Sequence, residues 1–333
     1  MKKAVYIAAL AIAAVCTSCN DDRPLREFKV RFESNSDSSV ADQTVKEGEK
    51  LIKPQDPTRE GYIFAGWFKE ASFDTKWEFD IDVVTSSMWL YAKWMTKLLK
   101  SVTNNNGGFE KLEYDHQDRL TKYSLSHNDA PVNPYQTDEF SYNTEGDVVK
   151  IERKRFDNLP GYEFTEEYFK SGNTITITRK ENERPDVVST LYLNSNGYPT
   201  KREELISYIE GATSILTYSY KDGNLTKTTY SRYHNTEGIT IFLSDYEYVY
   251  DNMKLPYYSV QTPKWFMIFF FGANGGQNNK TNESYFIYES ETTKRLERST
   301  DYVYEYDSDG FPTKRTYTGV DGKTEYVNLF VYE

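Results

Sequence analysis

Few side chains in this sequence are spaced for catalysis or metal binding. The three histidines, His116, His127 and His234, lack the spacing of metal ligands, so we expect them in turns or on the surface. Asp307-Ser308-Asp309-Gly310 begins like a calcium-binding loop, but the twelfth position, where such a loop needs glutamate, is Thr318. The pattern therefore favours a turn built on the Asp307 side chain.

Adjacent acids are the remaining candidates for acid–base chemistry. Glu166-Glu167 and Glu203-Glu204 are such pairs, but neighbouring side chains of a strand point to opposite faces, so they do not suit a facing glycosidase pair. Carboxylates that meet only in the folded chain are not excluded. The sequence has no G-x-S-x-G motif, no phosphate-binding loop and no cysteine after Cys19. We therefore predict a protein that is not an enzyme, with no cofactor and no metal.

The N-terminus predicts secretion. Lys2 and Lys3 precede an apolar run over residues 6–15, which is too short to span a bilayer and is typical of a signal peptide. We place this signal at residues 1–18. The small residues before Cys19 resemble the bacterial lipobox, which implies that Cys19 is acylated and becomes the mature N-terminus.

Two features qualify the lipobox prediction. Cys16 stands where the lipobox usually has leucine, and the alternative is a soluble secreted protein cleaved nearby. Asn20, Asp21 and Asp22 resemble the surface-export signal of Bacteroidota lipoproteins, although acids in a short tether over 19–26 could simply be solvated. The resemblance implies an outer-membrane, lipid-anchored protein exposed at the cell surface.

Residues 27–95 differ in character from the rest of the chain. Glycines and prolines punctuate short aromatic strands there. The segment resembles the Listeria–Bacteroides repeat, the B-repeat of internalin-type surface proteins. The matching residues are Thr44-Val45, Gly48, Pro54 to Pro57, Glu60-Gly61-Tyr62, Phe64, Gly66-Trp67, Trp77, Phe79 and Leu90 to Trp94. The resemblance implies a small, non-catalytic β-grasp-like domain, and Trp67, Trp77 and Trp94 are candidates for its core.

A hairpin motif recurs in the second part of the chain, and Tyr306, Gly310, Thr313 and Lys314 define it. Further copies start about 26 to 30 residues apart, a period typical of repeated supersecondary units. They are Tyr114-Asp118-Thr121-Lys122, Tyr142-Gly146-Val149-Lys150, Leu193-Gly197-Thr200-Lys201, Tyr220-Gly223-Thr226-Lys227 and a looser copy over 168–178. Alternating bulky residues, a turn residue that tolerates positive φ and a polar returning strand predict an antiparallel hairpin.

These hairpins predict the architecture of residues 109–333. With 29 tyrosines and 16% aromatic residues, whose rings can be buried while their hydroxyls stay hydrated, we expect a long antiparallel meander, an open twisted sheet or half-barrel. The fold class is thus mainly β, with a linker at 96–108 between two domains. The hairpins resemble tyrosine–aspartate repeats and, more nearly, DUF4595-like lipoproteins, a family that implies no known activity.

Residues 257–282 interrupt the hairpins with the apolar run Trp265 to Phe271. The main expectation is a short helix or buried segment that fills the open face of the sheet. The alternative is an exposed patch that binds a ligand or partner through Trp265, Phe266, Phe269, Phe270 and Phe271. Contact with a membrane surface is a third possibility.

Together these features predict a non-enzymatic surface lipoprotein that acts in binding or adhesion. The alternatives are a glycan-binding protein that uses aromatic residues of the sheet, and a structural envelope protein. The expected partners are the membrane, through the lipid anchor, and a glycan or protein ligand. A formal net charge of −11 argues against nucleic acid.

Overall fold

The computed structural model describes residues 26–36, 38–127, 134–156, 163–182, 184–206, 209–319 and 321–333. The predicted signal peptide, Cys19 and the export residues Asn20, Asp21 and Asp22 lie outside these ranges. The described chain is mainly β, as predicted, and forms two compact units. Residues 26–57 and 66–93 build the first unit; residues 58–65 and 94–333 build the second.

A small mixed sheet contains the first four strands, in the order β2-β1-β4-β3. They are β1 (Glu27–Glu33), β2 (Gln43–Lys46), β3 (Ile63–Phe68) and β4 (Met88–Met95). The central strands β1 and β4 run parallel. Trp67 and Trp77 are buried, and Phe32 packs edge-on against Trp67 at 4.9 Å. Trp94, expected in the same core, is only partly buried.

The larger sheet is a closed barrel of sixteen strands, counted over the described residues. Its strands are β5 (Leu99–Asn104), β6 (Phe109–Tyr114), β7 (Leu120–Ser126), β8 (Gln136–Tyr142), β9 (Val148–Arg155), β10 (Phe164–Ser171), β11 (Thr174–Glu181), β12 (Val187–Leu193), β13 (Pro199–Leu205), β14 (Ala212–Lys221), β15 (Asn224–His234), β16 (Ile239–Lys254), β17 (Asn278–Tyr288), β18 (Lys294–Tyr306), β19 (Pro312–Thr318) and β20 (Glu325–Tyr332). Each strand pairs antiparallel with its neighbour in sequence, and β20 pairs with β5.

Closure corrects two predictions. The open sheet or half-barrel predicted for residues 109–333 is only partly right: the antiparallel meander is present, but β5 pairs with β20 and leaves neither strand as an unpaired edge. Residues 99–104, predicted within the 96–108 linker, form the strand that makes this pairing possible. The segment LKSVTN lacks the tyrosine motif of the other hairpins, which is why the sequence did not reveal it as a strand.

The turns of the repeat are built as predicted on an acid or amide side chain. Asp307 Oδ1 accepts hydrogen bonds from the amides of Asp309 and Phe311, both at 3.0 Å. Asn194 accepts the equivalent pair of amides in its own copy. Gly310 then has a φ of 82°, a left-handed conformation in which glycine is favoured. Asp118, which replaces glycine in the first copy, also has positive φ, at 59°.

A β-bulge explains the rest of the repeat. Glu305 pairs with Lys314 while Tyr306 pairs with Pro312, so Thr313 is the extra residue. The Thr313 hydroxyl donates to the Glu305 carbonyl at 3.2 Å. Thr121, Thr200 and Thr226 occupy the same position and make the same bond. Bulges increase the local twist and bend a sheet, so their repetition at one end of the hairpins favours a closed barrel.

Side chains alternate between the lumen and the outer face. The outer face carries cross-strand ion pairs such as Lys314–Glu305 at 2.8 Å and Lys180–Glu167 at 2.8 Å. Inward tyrosines do not keep their hydroxyls in water as expected: Tyr142, for example, donates to the Leu120 carbonyl at 2.6 Å. Burial raises the pKa of Tyr142 to about 12. The inner face at the turn end is therefore a packed core.

The insertion between β16 and β17 supplies that packing. It forms α1 (Lys264–Phe271) and a following 3-10 helix (Gly272–Gly275). Phe266 is completely buried and meets Phe140 of β8 and Tyr168 of β10 edge-on, at 5.5 and 5.8 Å. The Thr262 hydroxyl accepts a hydrogen bond from the Leu120 amide at 2.9 Å, which joins the insertion to the hairpin turn before β7. The main expectation for residues 257–282, a buried filling segment, agrees with this arrangement.

The first prediction concerns Asp307, which holds both a repeat turn and the Lys97 ammonium, at 2.6 Å. We expect Asp307→Ala to lower the free energy of unfolding by about 2 kcal/mol, because two backbone amides lose their acceptor. Asp307→Asn should cost less than about 1 kcal/mol, since asparagine serves in the Asn194 copy and only a partly exposed ion pair is lost. Urea unfolding of the two variants measures the difference, and equal losses would contradict the turn role.

The stabilisation from Asp307 should depend on pH. Burial alone would raise the pKa of Asp307. Hydrogen bonds from Lys97 and the Phe311 amide outweigh this effect and hold the pKa below its ordinary value. A lowered folded-state pKa means that the stabilisation is present above the unfolded pKa, about 3.9, and is lost as the pH falls through the folded value. The gap between wild type and Asp307→Asn should thus be constant from pH 7 to pH 5 and shrink below pH 4.

The second prediction concerns the filling of the lumen. Phe266→Ala should cost about 3–5 kcal/mol, the range for deleting a buried phenylalanine ring. Phe169→Ala is the matched control: Phe169 follows Tyr168 on β10 and is 70% exposed, so its loss should change stability by less than about 0.5 kcal/mol. Similar unfolding free energies for the two variants would mean that α1 does not contribute to the core.

Candidate functional site

The inner faces of β8 to β13 are divided along their length. Near the turns they carry apolar residues that pack on α1, such as Phe140, Ile151 and Ile177. Farther along the same strands the inward positions are charged or polar. Every second residue still faces the lumen there, and these residues include Asp138 on β8 and Arg179 on β11. The sequence thus folds an apolar half and a polar half into one lumen.

Asp138 and Arg153 form the first ion pair of the polar half. Asp138 is completely buried. Arg153 reaches it with two parallel hydrogen bonds, Nε to Oδ1 at 2.6 Å and Nη2 to Oδ2 at 3.1 Å. Gln136 Nε2 adds a donor to Oδ2 at 3.0 Å. Such forked pairs fix the plane of the guanidinium group.

Glu166 and Arg179 form the second pair. Glu166 is only 2% exposed; its Oε1 accepts Arg179 Nε at 2.7 Å, and its Oε2 accepts the Tyr168 hydroxyl at 2.5 Å. Burial, together with the charge of Glu166, raises the pKa of Tyr168 well above its ordinary value. Phe164 lies between the two arginines, with the guanidinium carbons of Arg153 and Arg179 at 4.7 and 4.4 Å from its ring centre.

Arg202 of β13 completes the set. Its Nη2 donates to Glu204 Oε2 at 2.6 Å and its Nε to Ser189 Oγ at 3.2 Å. Its guanidinium carbon lies 5.5 Å from the centre of the Phe269 ring. The arginine side chains of the three pairs remain 26% to 37% exposed, so solvent reaches them.

A cavity of about 410 Å³ lies among these groups. Arg153, Arg179 and Arg202 border it from the strands, and Phe269, Phe270 and Phe271 border it from α1 and its end. Beyond Tyr123 and Phe271, a second cavity of about 160 Å³ is bordered by Lys280, Arg315 and Tyr304. Burial lowers the pKa of Lys280, although Glu283 accepts its ammonium at 2.5 Å and opposes that change.

The structure separates the predicted patch residues. Trp265 and Phe266 are buried in the core, so the hypothesis of an exposed patch is wrong for them, because the barrel wall covers α1. Phe269, Phe270 and Phe271 border the larger cavity; ligand binding by them stays a prediction. Cys19 and the export residues Asn20, Asp21 and Asp22 lie outside the described residues.

The acid pairs lie as the strand argument predicts. Glu166 faces the lumen and its neighbour Glu167 faces outward to Lys180. Glu204 bonds Arg202 in the lumen, whereas Glu203 bonds Lys201 and Tyr192 outside. The inward arginines were missed by sequence reasoning. The only sequence feature that could have revealed them is their spacing. Arg179 lies two residues after Ile177 on the same strand, so the two side chains share one face.

The described ranges contain no group of three or more His, Cys, Asp or Glu side chains placed to hold a metal ion. His116 lies in the turn after β6, and His127 stacks on Tyr135 at 4.2 Å. Chemically, the lumen offers guanidinium donors held by acids and faced by aromatic rings. Such an arrangement is suited to bind an anion that also has an apolar part.

Within the part of the chain that the structure describes, no helix has the length and apolar character required to cross a bilayer.

Two curated membrane proteins are similar to part of this chain. A Gly-rich membrane protein of Evansella cellulosilytica is 34% identical over 91 residues, 27% of this chain and 10% of that protein. A second membrane protein of the same organism is 28% identical over 125 residues, 38% of this chain and 16% of its own length. This chain therefore spans only a small part of these curated relatives.

Among solved structures, the chain is similar to porin-like proteins from Bacteroides uniformis and Bacteroides vulgatus. The first match has a TM-score of 0.35 and 15% identity and covers 71% of this chain and 98% of the other. The second has a TM-score of 0.36 and 13% identity and covers 71% and 99%. At TM-scores this low, the likeness supports no conclusion about what this chain does.

The family model of the Listeria–Bacteroides repeat domain matches residues 28–93. The match confirms the resemblance predicted for residues 27–95. The weaker resemblance of residues 109–333 to DUF4595-like proteins stays a prediction. The first unit is thus similar to the Listeria–Bacteroides repeat, and the barrel is the part of the chain that this family does not describe.

Proposed function

We propose that this protein is a non-enzymatic lipoprotein displayed on the bacterial surface, and that its barrel is a ligand-binding module. The observation that carries the proposal is the half-filled lumen, in which arginines and phenylalanines surround a cavity of about 410 Å³. Small-molecule sites are typically concave, largely apolar and supplied with a few oriented polar groups. Adhesion to another surface and a structural envelope role are the alternatives.

The N-terminal sequence supports a lipid anchor at Cys19, with Asn20, Asp21 and Asp22 as the export signal. The outer face of the barrel supports the same arrangement, since it carries ion pairs such as Lys180–Glu167 and Lys201–Glu203. Lysine facing lipid at the bilayer midplane costs about 2–4 kcal/mol. Such a face suits water, and the attachment to the membrane then falls to the acyl chains. The B-repeat-like segment precedes the barrel in sequence and would act as a spacer.

A glycan is the second candidate ligand. The rings of Phe269, Phe270 and Phe271 at the cavity favour it, because flat aromatic faces pack well on sugar rings. The exposed aromatic residues of the outer face, such as Phe169, offer a weaker alternative because they are scattered. A glycan array without any signal above background would remove this candidate.

The binding role can be tested without knowing the ligand class. We expect any ligand found by a thermal-shift screen of sugars and small organic acids to lose binding in Leu216→Trp, because Leu216 borders the cavity and the larger ring fills it. Leu205→Trp is the control, since Leu205 is 70% exposed on the adjacent strand. A ligand that binds both variants equally binds elsewhere, and a screen without any hit contradicts the binding module.

A further prediction concerns the display of the protein at the cell surface. Cys19→Ala should move the protein from the membrane fraction to the soluble fraction of a Bacteroides host, because no acyl chain can be attached. Asp21→Ala with Asp22→Ala should keep it in the membrane fraction but protect it from proteinase added to intact cells. Retention of Cys19→Ala in carbonate-washed membranes would contradict lipid anchoring and indicate that the barrel itself is inserted.

A further inference from the structure

We infer that the larger lumen cavity binds a small ligand that joins an oxyanion, such as a carboxylate, to a ring or similarly compact apolar body. The inference rests on the proposed binding role and adds the chemical class of the ligand. Its evidence is the distribution of charge, the orientation of the donors and the apolar wall of one cavity.

The charges of the polar half do not cancel. Three carboxylates each accept a hydrogen bond from one arginine: Asp138 from Arg153, Glu166 from Arg179 and Glu204 from Arg202. A fourth arginine, Arg232, pairs across the strands with Ser214, two residues from the cavity residue Leu216. Its Nε is buried without a hydrogen-bond partner among the described residues. Among the described residues each of these three carboxylates is matched by one arginine, and Arg232 adds a guanidinium group beyond these pairs; such a positive excess favours an anion.

The donors are oriented before any ligand arrives. Arg153 is held by two parallel bonds to a completely buried carboxylate, and Arg179 by a carboxylate that is 2% exposed. Phe164 packs between the two guanidinium groups. A guanidinium group has five N–H donors, and these contacts use only some of them. The remaining donors can reach a bound oxyanion with little loss of side-chain freedom.

The opposite wall selects the rest of the ligand. Phe269, Phe270 and Phe271 border the cavity from α1, and Leu125 and Leu216 border it from the strands. A free inorganic anion would leave these rings uncovered, whereas a ligand with a ring would bury apolar surface on them. A volume of about 410 Å³ lies near the lower end of the range for small-molecule sites, so the cavity suits one or two rings and not a polymer.

The test compares three probes by calorimetry on the full chain. They are 2-naphthoate, which has ring and acid; 2-naphthalenemethanol, which has the ring alone; and acetate, which has the acid alone. We expect 2-naphthoate to bind roughly tenfold or more tightly than either other probe, the factor that one charge-assisted hydrogen bond provides. Its affinity should also fall as salt is added.

A pair of double variants isolates the arginine. Arg179→Met with Glu166→Gln removes an inward ion pair without leaving an unpaired charge, and should weaken 2-naphthoate roughly tenfold while leaving 2-naphthalenemethanol unchanged. Lys180→Met with Glu167→Gln removes the neighbouring outward pair and should change neither. If the inward variant fails to fold by circular dichroism, Arg202→Gln with Glu204→Gln makes the same test on β13.

The outcomes separate this inference from the proposed function. Equal affinity for 2-naphthoate and 2-naphthalenemethanol would overturn the oxyanion requirement but leave a binding lumen. Failure of 2-naphthoate to bind, with a different ligand lost in Leu216→Trp, would overturn only the ligand class. Failure of every probe and of the wider screen would overturn the binding module as well.

Discussion

The pairing of β5 with β20 is the constraint on which the rest of the structure depends. Without it, sixteen strands would end in two open edges, and the inner face would be exposed to water. Main-chain partners run from Asn104–Asn328 to Leu99–Tyr332. At the end of this seam, the amides of Leu98 and Glu333 each donate to the carbonyl of the other residue. Closure turns one face of the sheet into an interior, and the side-chain pattern then has to fill it.

The bulged hairpin makes such closure possible. In the copies with Thr121, Thr200, Thr226 and Thr313, an extra threonine after the turn adds twist where the strand begins its return, and its hydroxyl donates to the carbonyl of the opposing strand. The lysine that follows lies on the outer face, as in Lys314, where it meets Glu305. The repeated tyrosine motif therefore produces curvature in the sheet. Its glycine allows the turn, its threonine forms the bulge that bends the sheet, and its lysine forms an ion pair with an acid on the outer face.

Local features were predictable from the sequence, and long-range ones were not. The Asx turn at Asp307, the positive φ of Gly310 and the opposite faces of Glu166 and Glu167 follow from rules that act within a few residues. Closure depends on β5, whose residues carry no motif, and on a pairing between positions more than two hundred residues apart. The inward arginines were missed because a charged residue in a strand usually faces water, and only a closed barrel makes that face an interior.

A comparison of the apolar and polar halves of the lumen indicates that the polar half has a role in function and not only in stability. Near the turns, α1 and inward residues such as Phe140 and Ile151 fill the space, which shows that this chain can pack the interior of its barrel with apolar groups. Ion pairs such as Asp138–Arg153 contribute little net stability when buried, because the cost of removing charges from water offsets their attraction. Apolar residues of similar size would hold the barrel closed as well or better. A role in stability alone therefore does not explain the arginines, whereas a cavity that must hold an oriented charge beside aromatic rings does.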